Sequence, residues 1–114
     1  MRIDVKGRNV AVSDELRRRI ERRFEKVSRQ VPSYVDLDVE LCEERNPSIR
    51  DRYVVEATMH LKGATLRARE RSDSLVSAIT LLQEDLARQV KRHSDKRRAR
   101  RDATRVAPQA HPAP

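Results

Sequence analysis

Asp36, Asp38 and Glu40 recur at every second position, and Glu56 and His60 stand four apart in a later alternating segment. Carboxylates and an imidazole gathered on one surface could pass a proton or hold a divalent cation, so acid–base or metal-assisted chemistry is the first reading to weigh. The same spacing has a plainer origin. Alternate polar residues are what the water face of a half-buried strand requires, and Arg2, Lys6, Arg67 and Arg69 are available as cross-strand partners. The chain has no Gly-rich phosphate loop, no metal-spaced Cys/His set and no Ser or Cys nucleophile motif. Its one cysteine, Cys42, can neither close an internal disulfide nor share a zinc site with a second cysteine, which fits a reducing cytoplasm. The expectation is therefore no catalytic residue, no metal and no cofactor.

Charge is the stronger signal once it is located. The net charge is +8 over 114 residues. Residues 1–87 hold 17 Lys or Arg against 16 Asp or Glu, whereas residues 88–114 hold 9 against 2. A nearly neutral body with a basic end points to a polyanionic partner, nucleic acid before a membrane surface. No apolar run approaches the roughly 18 to 20 residues that span a bilayer, and the N-terminus lacks the apolar core of a signal peptide.

Elements of modest size must position these charges. "RIDVK" at 2–6, "YVDLDVELC" at 34–42 and "YVVEATMHL" at 53–61 alternate apolar and polar residues with the period of a strand, and Leu66 and Ala68 continue the pattern in a short fourth one. Between the first two, Ser13 is a suitable N-cap, followed by Asp14 and Glu15. Leu16, Ile20, Phe24, Val27 and Val31 then predict one helix from about 14 to 30, ended by Pro32. Ser72 or Ser74 caps a second helix with the stripe Leu75, Ile79, Leu82, Leu86 and Val90. Strand, helix, three strands, helix, each with one apolar face, implies an α+β sandwich: a four-stranded sheet with both helices on one face, the first crossover parallel and the other pairings antiparallel. The domain is expected to occupy residues 1–100, with 101–114 a basic, then Ala/Pro-rich, disordered tail.

On a wheel of the first helix, Arg18, Arg19, Arg22, Arg23, Lys26 and Arg29 fall in one arc of about 140° that holds no acid. On the second, His93, Arg97 and Arg100 continue the buried line beyond Val90, so the helix is expected to have run past the sheet and into water there. Seven of the 11 residues from Lys91 to Arg101 are cations. Single-strand readers stack bases on exposed aromatics, and Phe24, Tyr34 and Tyr53 are the whole supply, with only Tyr34 outside an inward position. Phosphate contacts from helix-borne Arg and Lys to folded RNA fit this chain better than stacking.

The segments "GRNVAVSDELRRRIERRFEKV" and "AITLLQEDLARQVKRHSDKRR", with the two alternating strands between them, resemble the bacterial ribosome hibernation-promoting factors and ribosome-associated translation inhibitors over residues 1 to about 100. The resemblance implies the fold already derived. It also implies binding to the small ribosomal subunit and its rRNA, in the channel of mRNA and of A-site and P-site tRNA, inhibiting translation and protecting idle ribosomes. Carried over by position, the implied RNA contacts are Arg22, Arg23 and Lys26 on the first helix and Arg88, Lys91, Arg92 and Lys96 on the second. Arg97, Arg98, Arg100 and Arg101 extend that surface by composition. Where the family opens the second helix with Asp-Met-Tyr and an Asp one turn on, this chain has Ser74-Leu75-Val76 and Thr80. The C-terminal dimerisation domain of the long members is absent from the sequence, so a monomer is expected, whether as a short form or as a piece cut within a linker. No membrane and no small-molecule substrate is implied. Two alternatives stand beside this reading: a general RNA- or DNA-binding module, and a protein-interaction module using Leu81.

Overall fold

The structure is a computed structural model that describes residues 1–46 and 48–106, with residues 104–106 described as backbone alone. Its elements are β1 (Arg2–Arg8), α1 (Asp14–Arg23), α2 (Glu25–Arg29), β2 (Asp36–Glu43), β3 (Tyr53–Leu61), β4 (Ala64–Ser72) and α3 (Leu75–Val106). The strands lie in the order β1-β2-β3-β4. β1 and β2 are parallel, with Val5 beside Val39, while β2–β3 and β3–β4 are antiparallel, with Val39 beside Ala57 and Ala57 beside Ala68. The expected α+β sheet with helices against it is the observed one. The parallel pair exists because α1 and α2 carry the chain back across the sheet, whereas a two-residue turn suffices between β3 and β4. That turn is Lys62-Gly63, and Gly63 has φ +77, a left-handed conformation that glycine adopts without Cβ strain.

The core is aliphatic. Leu37, Val39, Leu41, Val55, Ala57, Met59 and Ala68 from the sheet form a single buried cluster with Ile20, Phe24 and Val27 and with Ala78, Ile79, Leu82, Leu86 and Val90. Ala57 and Ala68, adjacent across β3–β4, leave room for α3, which packs on those two strands. Val90, 3% exposed, is the last buried residue of α3 among the described side chains.

Three features differ from the sequence expectation. The first helix is interrupted at Phe24, whose backbone takes φ −89 and ψ 6 while its ring is fully buried. Apolar spacing alone is blind to such a break, because Leu16, Ile20, Phe24 and Val27 keep one face on either side of it. α3 continues through residues 101–106, which the sequence assigns to the tail, and the remainder of that tail, 107–114, lies outside the described residues. β4 is nine residues long instead of short, so the alternation that buries Ala68 also turns Glu70 toward the helices, beside Val55.

Glu70 is held in an acidic environment. Burial pushes its pKa above the ordinary value of 4.5, a hydrogen bond and charge repulsion from Asp85 of α3 push it further, and Arg88 draws it back. Gln89, one turn on from Asp85, donates from its amide to the Arg67 carbonyl of the edge strand β4 at 2.7 Å and to Asp85 Oδ1 at 3.2 Å. α3 is thus registered against β4 by an amide bridge beside a carboxylate that resists ionisation.

Two outcomes follow. Since Glu70 binds its proton more tightly folded than unfolded, its contribution to stability is complete below pH 4.5 and is lost as pH rises through the elevated pKa. Glu70→Gln should therefore raise the Tm at pH 7 and lose that advantage below pH 4.5; equal Tm values at pH 7 would contradict the assignment. Leu86→Ala, which empties a fully buried site facing the sheet, should cost about 2–5 kcal/mol in urea denaturation.

Candidate nucleic-acid interface

Ser13 caps α1 by accepting the Leu16 amide at 3.1 Å, with Asp14 and Glu15 in the first turn and Arg22 and Arg23 in the last. Each charge is at the end of the helix dipole that favours it. α3 is capped by Ser74, whose Oγ accepts the Ser77 amide at 3.2 Å. The two helical runs lie side by side and point the same way. At one end Leu16 and Ile20 of α1 meet Val76 and Ile79 of α3 across a groove rimmed by Arg19, Arg22 and Arg23. At the other, Gln30 and Val31, just past α2, meet Val90 and Ser94.

All eleven RNA-contact candidates, Arg22, Arg23, Lys26, Arg88, Lys91, Arg92, Lys96, Arg97, Arg98, Arg100 and Arg101, are exposed. They do not form one cluster. Arg22 and Arg23 flank the first turns of α3, and Arg97 lies 18 residues beyond Ile79, or about 27 Å along the helix axis at 1.5 Å per residue. Arg88 and Arg92 fall on the side of α3 turned away from its buried stripe, and the Gln89 bridge to Arg67 fixes that rotation. The helical layer therefore carries a band of cations along its length.

Electrostatics separates this band from the sheet's water face. There the two edge strands are basic, Arg2, Lys6 and Arg8 on β1 and Arg67, Arg69 and Arg71 on β4, while the middle is acidic. The charges interlock: Arg69 with Glu56 at 3.4 Å, Arg71 with Glu44 at 2.9 Å and His60 with Asp38 at 3.1 Å. Of the acid–base candidates, Asp38, Glu56 and His60 are thus engaged in cross-strand pairs, while Asp36 and Glu40 form no ion pair within 4.0 Å among the described residues. Among the described residues no group of three or more His, Cys, Asp or Glu is placed to hold a metal ion. On the helical layer, Arg29 is bound to Glu25 at 2.8 Å and so leaves the basic arc of the first helix, and Arg88 approaches Asp85 at 4.0 Å. Arg22, Arg23, Lys26, Lys91, Arg92, Lys96, Arg97, Arg98 and Arg101 have no carboxylate within 4.0 Å among the described residues.

After Val90 the described side chains of α3 are exposed, as expected, with one exception. His93 is half-buried. Arg97 and Arg100, on the same side of the helix, face the Lys62-Gly63 turn across a cleft that Lys96 also lines. Tyr34, 60% exposed, borders the adjoining hollow with Lys62, His93 and Arg97. Lys62 and Tyr34 were not among the sequence candidates. Lys62 belongs to no charge run, Tyr34 stands at the head of an alternating segment as the one outward aromatic, and only the fold carries them to α3.

No helix among the described residues is long and apolar enough to cross a membrane. Over 97 residues the chain is 29% identical to the ribosome hibernation promotion factor of Picosynechococcus sp., matching 84% of this chain and 50% of that one. It is 27% identical over 107 residues to the ribosome hibernation promoting factor of Azotobacter vinelandii, with 94% and 95% covered. The chain thus spans about half the length of the first relative and nearly all of the second. The crystal structure of the Thermus thermophilus Protein Y N-terminal domain superposes with a TM-score of 0.69 at 26% identity, covering 82% of this chain and 99% of that domain. Residues 3–98 match the model of the sigma 54 modulation protein / S30EA ribosomal protein family, and the chain belongs to that family.

Proposed function

We propose that this protein is a non-catalytic ribosome hibernation factor that binds the small ribosomal subunit in the channel of mRNA and of A-site and P-site tRNA, inhibiting translation while shielding idle ribosomes. The observation that carries the reading is the division of charge. On the sheet face Arg69, Arg71 and His60 pair with acids and the acids of β2 and β3 lie between the basic edges, while the cations along α1, α2 and α3 are mostly unengaged and exposed. A polyanion laid on the sheet would meet the acids of β2 and β3. Laid along the helices, it meets Arg22, Arg23 and Lys26 on one run and Arg88, Lys91, Arg92, Lys96, Arg97, Arg98, Arg100 and Arg101 on the other, with few acids to repel it.

Residues 1–100 supply the ribosome-binding domain in this reading. The protein acts as a cytoplasmic monomer, with no membrane, cofactor or small-molecule substrate. Names of relatives support the ribosomal partner, and guanidinium groups on a rigid helix suit the phosphates of folded rRNA. A general RNA- or DNA-binding module would use the same cations, so the two readings part on competition. A channel occupant is excluded by mRNA and initiator tRNA, whereas a nonspecific binder is indifferent to them.

Changing Lys91, Arg92 and Lys96 together to Glu should abolish co-sedimentation with small subunits while circular dichroism stays native, because all three side chains are exposed. Wild-type affinity in that variant would refute the interface. If about six to eight phosphates are neutralised, log affinity should fall with log salt at a slope on the order of −5, and a slope near −1 would contradict so broad a contact.

A further inference from the structure

The turn between β3 and β4 and the loop before β2 converge on α3 where its buried stripe ends. Val90 is the last core residue. One turn later the same side of the helix presents His93, then Arg97 and Arg100, and these face Lys62 and Gly63 across a cleft of about 380 Å³. A smaller hollow of about 70 Å³ continues from it past Lys62, His93 and Arg97 to Tyr34 and Pro32. Among the described residues no carboxylate lines either part. Tyr34 sits in the tight turn that the Val35 amide closes on the Pro32 carbonyl at 3.2 Å, and 60% of the residue is open to water. An exposed aromatic beside a cationic cleft joins the two elements of single-strand recognition, a charge for the backbone and a π-face for a base.

We infer that this cleft is a binding site for an unpaired ribonucleotide: its phosphodiester lies among Lys62, His93 and Arg97, and its base stacks on Tyr34. The site deepens the proposed function, since it rests on the same polynucleotide partner, and it gives the basic surface a place that prefers a flexible strand to a duplex. One aromatic supplies one stack, so the site does not make the protein a general single-strand reader. It marks a point where an unstacked nucleotide of a larger RNA is held. The rigidity of the site is inherited. Its floor is the end of the core at Val90, one wall is a two-residue turn fixed by Gly63, and the other is a continuous helix.

The chain has two tyrosines and no tryptophan, which makes the inference directly readable. Tyr53, with the Arg52 guanidinium 5.4 Å from its ring centroid, sits at the far end of β3, about 27 Å from Leu61 at 3.4 Å per residue. Its emission is the constant background. Titrating the protein with an oligouridylate octamer should quench tyrosine emission saturably, and Tyr34→Ala should remove the quenching. Anisotropy of the same octamer carrying fluorescein should show Tyr34→Ala weakened roughly five- to hundred-fold, the range that one base–aromatic stack supplies, with Tyr34→Phe close to wild type. Lys62→Ala should lower the log-log salt slope by about 1. Unchanged affinity in Tyr34→Ala, or saturation without quenching, overturns the site. Sedimentation with small subunits, run on the same variants, separates the two claims. Quenching without subunit association leaves the site and removes the proposed function, while subunit association without any dependence on Tyr34 does the reverse.

Discussion

The structure depends on one constraint: a sheet with a single apolar face, which must be covered completely by few and small side chains. Aromatics are 3% of the sequence, so coverage comes from Val, Leu, Ile, Met and Ala, together with the one phenylalanine at the centre. Two helical runs side by side are what a four-stranded sheet of this size needs for cover. Once both lie on the same face, the fates of the charged residues are determined. Those on the strands share one water face with charges of the opposite sign, and Arg69, Arg71 and His60 pair with acids there, whereas those on the helices point away from the sheet and meet few. The basic band is therefore a consequence of how the core is closed as well as of composition.

The same constraint explains where α3 changes character. Its stripe is buried as long as strands lie beneath it, and the sheet ends at the β3–β4 turn. Beyond Val90 the stripe positions carry His93, Arg97 and Arg100. Of these His93 is half-buried, while Arg97 and Arg100 stay exposed. The turn and the Tyr34 loop close around the end of the core, so polar groups at the apolar angle acquire neighbours that are themselves polar. On the β4 side, Gln89 performs a related task by donating to the Arg67 carbonyl of the edge strand, its amide held also by Asp85 Oδ1.

Much of the fold was legible because each element had a single apolar periodicity and clear punctuation. Val35, Leu37, Val39 and Leu41 could belong only to a strand, and Ser13 with Asp14 and Glu15 could scarcely open anything but a helix. Phe24 illustrates the limit: a break that keeps the ring on the buried face leaves no mark in the apolar spacing. Glu70 illustrates another, since a carboxylate in a strand reads as an outward residue or as the end of the strand, and only pairing with Val55 shows it turned inward. For the interface, the sequence supplied the cations but not their engagement. Arg29 was counted in the basic arc although Glu25 lies four residues before it, a spacing that could have signalled the pair. Lys62 carried no readable signal and Tyr34 only that of an outward aromatic, because their nearness to α3 comes from a turn and a loop meeting a helix that is distant in sequence.

The extension is helical despite its charges. Arg92 and Lys96, Lys96 and Arg100, and Arg97 and Arg101 are like charges at the spacing of neighbours on a helix, each pair unfavourable by about 0.2–0.5 kcal/mol. An isolated helix of this length and charge would be marginal. Here it does not have to nucleate, because Leu75 to Val90 are already fixed by the core and each further residue only propagates a turn already formed. Cations near a helix C-terminus are also favoured by its dipole. The balance leaves an ordered but self-repelling rod, and a polyanion relieves that repulsion on arrival. Anchoring at Val90 therefore supplies a preorganised array of guanidinium groups, so that little ordering remains for the binding step itself.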